Sequence, residues 1–348
     1  MSDINIRKIG RTGRITLTRP QALNALSYPM CLAIEDALDA WATDDDVAMV
    51  IIDAEGDRAF CAGGDIQEMY DTASAGDFAY GRRFWADEYR MNAKMFDFPK
   101  PVATFMQGFT MGGGVGVGCH GSHRVVGESS QVAMPEVGIG LVPDVGGSYI
   151  LAKAPGHMGE YLGLTAARMS AGDAITAGFA DYFIREEYWP QLIKQLEASA
   201  DYTLIDSAAE RAPEGPVTAQ LDDINRHFAG ASLLDVVNSL TSEESDFTAK
   251  TLKLMRRNSP LAMGAGLELI RRGRAFDSLR PALEQEYRFT YRSAEHGEFI
   301  EGIRAAIIDK DRNPKWQNDL SAPPADKIVQ MLMPLGQNKL TFEKEDHT

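Results

Sequence analysis

Glu136 and Asp144 stand eight residues apart in the run Met134-Pro-Glu-Val-Gly-Ile-Gly-Leu-Val-Pro-Asp-Val-Gly-Gly147, with no basic residue between them. Upstream, the apolar run Pro101-Val-Ala-Thr-Phe-Met106 leads into Gly108-Phe-Thr-Met-Gly112-Gly113-Gly114-Val-Gly116-Val-Gly118. A triple glycine after a strand lets bare backbone N–H groups reach a ligand at the start of a helix, where the dipole favours developing negative charge. N–H groups that stabilise an anion, together with a carboxylate pair, are the parts needed for acyl chemistry at a carbonyl. A second turn of the same design, Phe60-Cys-Ala-Gly-Gly-Asp-Ile66, precedes a polar helix.

Each residue also has a plainer reading. Alone, Glu136 is a solvated turn carboxylate, and Asp144 is an N-cap for the segment beginning Val145-Gly146. Flanked by Val137, Ile139, Leu141 and Val142, the two together read as carboxylates held in apolar surroundings. Their spacing would align them on a helix, but Gly138, Gly140 and Pro143 argue for a loop. His120 and His123 lack acidic or cysteine partners at metal-site spacing, so no metal is expected, and Cys119 reads as core. Asp65 reads as a residue that shapes its turn. Glu88, beside Asp87 and Arg90 in a helical stretch, would ordinarily lie on the surface.

The elements that must position these residues alternate. Ile4–Ile9 and Arg14–Thr18 read as a hairpin around Gly10–Gly13, and Ser27 caps a helix to about Thr43 with Pro29 in its first turn. Val47–Ile52 is a continuous apolar run, the mark of a strand covered on both faces. A helix over 80–96, the strand at 101–106 and short strands at 124–126 and 131–134 follow, which predicts an α/β first part. Beyond Gly146 the pattern turns helical. Ser170 opens a helix, Trp189–Ser199 is amphipathic, and 201–216, with Pro213 and Pro216, is the best linker candidate. Helices are expected around 233–240, 247–257, 261–272, 279–291 and 296–308, before a polar, loosely held tail after Trp316.

The length of 348 residues suggests about two domains, and 44% apolar with 24% charged residues is an ordinary globular balance with ample core. A net charge of −15, from 35 basic and 50 acidic side chains, repels nucleic acid and anionic membranes and argues against both as partners. Cys31, Cys61 and Cys119 are odd in number and widely spaced, as expected of reduced thiols. The N-terminal residues carry no signal-like core, and no apolar run reaches the roughly 18 residues that span a bilayer. The expectation is a cytoplasmic protein.

The motifs resemble those of the crotonase (enoyl-CoA hydratase/isomerase) superfamily, and within it the 3-hydroxyisobutyryl-CoA hydrolases. General marks are Arg19-Pro-Gln-Ala-Leu-Asn24-Ala25-Leu26, Phe60–Ile66 and the triple glycine. Marks of the hydrolases are Trp85-Ala-Asp-Glu88-Tyr89, the run from Pro135-Glu136 to Pro143-Asp144-Val-Gly-Gly, and Glu301-Gly-Ile-Arg-Ala305 leading to Trp316. The resemblance implies an α/β fold, a crotonase-like ββα-spiral core over 1–200, then a helical region over 217–317 and a polar tail over 318–348. It places an oxyanion hole at the N–H groups of Gly64 and Gly113, acid–base or nucleophilic chemistry at Glu136 and Asp144, and an acyl contact at Glu88. It places CoA at Ala25, Ala62, Gly63, Asp65 and Ile66. Hydratases use two glutamates; the position of one is Gly116 here, while Asp144 stands where hydratases carry glycine.

The implied reaction is therefore hydrolysis of a short 3-hydroxyacyl-CoA thioester, with no cofactor beyond the CoA of the substrate. An enoyl-CoA hydratase or isomerase using Glu136 alone, or a CoA-ester-binding protein without catalysis, are the alternatives. Superfamily members commonly form trimers or paired trimers, which leaves a homo-oligomer open. Arg256-Arg257 and Arg271-Arg272-Gly-Arg274 read equally as a solvated helix face or as a holder of CoA phosphates.

Overall fold

β-Branched and aliphatic runs separated by glycine turns build the strands. A computed structural model describes residues 3–343. The first two residues of the N-terminal segment and the last five of the polar tail lie outside the described residues. By contacts the chain divides into one unit of Met1–Asp65, Arg90–Ala133 and Arg168–Ala219 and another of Ile66–Tyr89, Met134–Ala167 and Gln220–Thr348.

In the first unit β1 (Ile4–Ile9) and β2 (Thr12–Leu17) form the expected antiparallel hairpin. The following strands are β3 (Met49–Ala54), β4 (Ala59–Cys61), β5 (Val102–Met106), β6 (Phe109–Met111), β7 (His123–Val126), β8 (Gln131–Ala133) and β9 (Tyr182–Phe183). They sort alternately into a six-stranded sheet, ordered β1-β2-β3-β5-β7-β9, and a three-stranded sheet, ordered β4-β6-β8. From β2 onward each neighbouring pair is parallel, so every turn of the chain lays one strand in each sheet, which is a spiral. Met49, Val50, Ile51 and Ile52 are all fully buried, as a strand covered on both faces requires. Met49, Ile51, Phe105 and Val125 pack with Trp189, Leu192, Ile193 and Leu196 of the Trp189–Ser199 helix.

The presumed linker over 201–216 is instead fastened down. It contains the helix Thr203–Ala208 with Ile205 buried, and Glu210 N–H bonds the Phe183 carbonyl at 2.8 Å. Just beyond it, the buried Asp173 carboxylate accepts from Val217 N–H at 3.1 Å and Thr218 N–H at 2.8 Å. Ser27 does occupy the N-cap of the Tyr28–Ala42 helix, but its hydroxyl makes no capping bond.

The second unit is helical. Pro260–Gly273 packs against Gly147–Lys153, Met158–Thr165 and Ala325–Met331. The stretch expected to be loose carries that last helix. Arg292 donates to the carbonyls of Met331 at 3.1 Å and Met333 at 2.7 Å, and Met331, Leu332 and Leu340 are buried. A basic side chain on the final carbonyls of a helix satisfies acceptors the helix leaves open.

The glycine helix Gly113–Gly118 lies so close to β4 that a Cβ on Gly114 would collide with the backbone carbonyl of Cys61. Backbone cannot yield as a flexible side chain can. Gly114→Ala should therefore cost about 3 kcal/mol, lowering the thermal midpoint by several degrees; an unchanged melt would show that the two segments part easily.

Candidate active site

The carboxylates belong to the helical unit. Pro135 leads into the 3₁₀ turn Glu136–Ile139, closed by Gly140 and by the bond from Leu141 N–H to the Glu136 carbonyl at 3.0 Å. The turn is held from outside by the Phe299–Ile303 helix, where a Cβ on Gly302 would strike the Ile139 carbonyl. Ser259 N–H donates to the Val137 carbonyl at 2.9 Å. Glu136 is consequently only 4% exposed, and its Oε2 has no hydrogen-bond partner among the described residues.

Asp144 precedes a strained turn. Val145 has φ +50° and Gly146 φ +80° before the helix Gly147–Lys153. A β-branched residue in the left-handed region costs on the order of 1–3 kcal/mol and persists only where its surroundings enforce it. Asp144 is not the cap of this helix, contrary to its plainer reading. Glu286, on the helix Arg280–His296, accepts instead from Gly146 N–H at 2.8 Å, Ser148 N–H at 3.1 Å and the Ser148 hydroxyl. The Asp144 side chain is left to Tyr89, whose phenol donates to Oδ2 at 2.7 Å. The Tyr89 oxygen lies 3.4 Å from Thr290 Oγ1, and its ring meets Tyr287 edge-on at 6.1 Å.

Glu88 is buried, not on the surface, and its Oε1 has no partner among the described residues. Its stretch of helix is pinned by Arg82, which donates to the Tyr291 carbonyl at 3.0 Å, and by Trp85, whose ring packs 5.4 Å from Phe299. Burial, and then repulsion from Asp144, pushes the Glu88 carboxyl well above its ordinary value. Burial and repulsion from Asp144 do the same to Glu136. Asp144 rises to about 7 through burial, held back by the Tyr89 hydrogen bond and its own backbone. Glu286 rises to about 8 through burial, held back by Ser148 and Gly146 and raised again by Asp144. Glu136 and Asp144 interact strongly, so their protons come off as those of a pair.

The glycine turns belong to the strand-rich unit. A Cβ on Gly63 would lie 3.5 Å from the Met111 carbonyl, so the Phe60–Ile66 turn and the triple glycine are neighbours. The N–H groups of Gly64 and Gly113 make no hydrogen bond among the described residues. Leu26 pairs with Gly64, through Leu26 N–H to the Gly63 carbonyl at 2.9 Å and Asp65 N–H to the Leu26 carbonyl at 2.8 Å. Arg19 ties the Ala25 carbonyl, at 3.0 Å, to Asp65, at 3.1 Å, so Asp65 shapes the turn as expected. Ala25, Ala62, Gly63 and Asp65 thus share one layer, and Ile66 is the N-cap of the Gln67–Ser74 helix. Arg271 and Arg274 are spent internally, on the Gly230 and Ala231 carbonyls and on Glu160.

Sequence reasoning quoted Tyr89 only within a hydrolase mark, with no role of its own, and missed Ser148, Glu286 and Thr290. Glu286 did leave a signal, because it falls on the same helical face as Ala282, Leu283, Phe289 and Thr290, all buried.

A family model described as enoyl-CoA hydratase/isomerase matches residues 12–332. The 3-hydroxyisobutyryl-CoA hydrolase, mitochondrial, of Gallus gallus is 35% identical over 97% of this chain and 91% of its own length. The protein of that name from Xenopus tropicalis is 37% identical over 93% and 86%. Among solved structures, an enoyl-CoA hydratase from Rhodobacter sphaeroides 2.4.1 superposes with a TM-score of 0.94 at 53% identity, covering 98% of this chain and 100% of the other. A carnitinyl-CoA dehydratase from Mycobacterium thermoresistibile gives 0.94 at 37% identity, covering 99% and 100%.

Two outcomes follow from the electrostatics. Tyr89→Phe removes a donor that favours the Asp144 anion, so the Asp144 pKa should rise from about 7, moving the limb of the pH–rate profile that reports Asp144 up by about one unit. Asp144 ionises less readily in the folded than in the unfolded chain. Its contribution to stability is therefore full below the ordinary carboxylate value and is lost as pH rises through about 7. Asp144→Asn should melt higher than wild type at alkaline pH, by on the order of 2–4 kcal/mol, with the gap closing toward pH ~4; calorimetry across pH reads the difference, and an equal gap at every pH would contradict it.

Proposed function

The chain belongs to the enoyl-CoA hydratase/isomerase family, and we propose that within it the protein hydrolyses 3-hydroxyisobutyryl-CoA to 3-hydroxyisobutyrate and CoA, a step of valine breakdown. The observation that carries this reading is the buried Glu136–Asp144 pair with Tyr89 bound to Asp144, at a family position where hydratases bear glycine. The second hydratase glutamate has no counterpart, since its position is Gly116, buried inside the glycine helix. The full-length curated relatives carry the hydrolase name.

The residues can carry the reaction as follows. The thioester oxygen takes the N–H groups of Gly64 and Gly113, where losing one such donor typically costs about 3 kcal/mol of barrier. The proton that burial favours on Glu136 passes to the Asp144 carboxylate, and the Glu136 carboxylate so freed attacks the carbonyl carbon as the C–S bond breaks. The departing thiolate takes a proton from the Asp144 carboxyl, leaving a mixed anhydride on Glu136. Water then cleaves the anhydride and returns a proton to Asp144, freeing the acid and the Glu136 carboxylate. In the competing route Glu136 is a general base on water and Asp144 holds the substrate hydroxyl. Glu88, buried with an oxygen unpartnered, is the proposed contact for the acyl group.

Free-CoA release from (S)-3-hydroxyisobutyryl-CoA tests the reading directly. Wild type should turn over rapidly, and Glu136→Gln or Asp144→Asn should each lose at least about a hundredfold in kcat. Slow release indifferent to both changes would overturn it. Robust hydration of crotonyl-CoA would favour the hydratase that the Rhodobacter relative's name suggests. In single-turnover reactions in labelled water, label in the Glu136 carboxylate supports the anhydride route, and label confined to the product counts against it.

A further inference from the structure

We propose that Glu286 is a positioning residue for Asp144, and that by holding the backbone turn after Asp144 it keeps that carboxylate free for Tyr89 and for the reaction. The functional part of this inference rests on the hydrolase reading above.

An aspartate two residues before a helix N-cap has a ready local partner. Its side chain folds back onto the N–H two residues on, closing an Asx turn, and carboxylates are drawn to unsatisfied N–H groups at a helix start. For Asp144 that N–H belongs to Gly146, and Glu286 Oε2 already occupies it at 2.8 Å. The other oxygen of Glu286 takes Ser148 N–H at 3.1 Å and the Ser148 hydroxyl. Gly147 N–H is closed off by the Asp144 backbone carbonyl at 2.6 Å. The N–H groups of Gly146, Gly147 and Ser148 are thus satisfied by something else, and the Asp144 side chain is bonded to Tyr89.

The helix that carries Glu286 serves both sides of Asp144. One turn along it Thr290 lies 3.4 Å from the Tyr89 oxygen, and Tyr287 packs edge-on against the Tyr89 ring. Glu286 is itself fully buried, and its hydrogen bonds among the described residues all go to that turn. Its raised pKa, about 8, shows that its burial is unfavourable to the charged form, as expected of a group retained for its geometry. The titratable groups acting on this turn are Asp144 and Tyr89 directly, with Glu136 and Glu88 beyond them.

Glu286→Gln puts an amide N–H₂ against one of the N–H donors and frees the turn. The Asp144 side chain should then capture Gly146 N–H, a bond that favours its anion, so its pKa should fall by about one unit, read by carbon NMR of labelled aspartate in the free protein. CoA release should drop about a hundredfold in kcat with KM within about threefold. In an Asp144→Asn background the same change should cost less than about twofold more, because Glu286 acts through Asp144. Ser148→Ala, which removes one of the bonds without touching the charge, should show the same effects in smaller measure and covers the case in which Glu286→Gln does not fold. An unmoved Asp144 titration, or a kcat loss as large in the Asn background as in wild type, would overturn the proposal. Failure of the hydrolase reading looks different: wild type would release no CoA while the NMR shift remained.

Discussion

Among the carboxyl groups buried in the helical unit are Glu88, Glu136, Asp144 and Glu286, and the charges that act on these are chiefly one another. Like charges at short range in a low dielectric cannot all ionise, so the fold must decide where negative charge resides. It decides by distributing donors. Glu286 receives three and Asp144 receives the Tyr89 phenol, while Glu88 and Glu136 each keep an oxygen with no partner among the described residues. Hydrogen bonds that favour the anion draw charge toward Asp144 and Glu286.

Several residues of the family marks, general and hydrolase alike, turn out to be scaffolding. Asn24, fully buried, donates to the carbonyls of Glu55 and Ala59 at 2.9 Å each and accepts from Arg19 N–H, so it pegs the turn that faces Gly63-Gly64. Gly302 allows its helix to lie against the Glu136 turn. Arg304 gathers Glu301, Asp309 and Asp311, and Glu298 joins Ser259 to Gln317. The stretch from Glu301 to Trp316 therefore bears on the chemistry by holding the loop around Glu136.

What the sequence could show follows from the range of each interaction. Strands, glycine turns and the paired carboxylates are local patterns, and their alternation along the chain was enough to indicate an α/β part followed by helices, while the spiral was implied by the resemblance. The burial of Glu88 was not legible, because Asp87 and Arg90 beside it suggest a surface and only packing against Phe299 and Tyr291 reverses that. The plainer reading of Asp144 as the cap of the Gly147 helix fails for a related reason. A nearby aspartate is the natural local choice, and the carboxylate that wins comes from a helix far along the chain. The segments over 201–216 and beyond 316 are polar on average, yet a few residues (Ile205, Met331, Leu332) are buried and decide the structure. Averages over a window hide such anchors.

The difference between adding water to a double bond and cleaving a thioester can be traced to where the second carboxylate is held. In the hydratase pattern it projects from the glycine helix, whose corresponding residue here is Gly116 between the fully buried Val115 and Val117. Hydration needs two glutamates poised on one water, one taking a proton and one giving it. A carboxylate fixed in a strained turn, with one oxygen on a tyrosine, is less suited to share a water symmetrically. It is better suited to a division of labour in which two carboxyls are pushed to different proton affinities and take different roles. In the proposed reaction those roles are attack by Glu136 and proton delivery to the departing sulfur by Asp144. Tyr89 and Glu286 matter to that chemistry because they make the two carboxyls unlike.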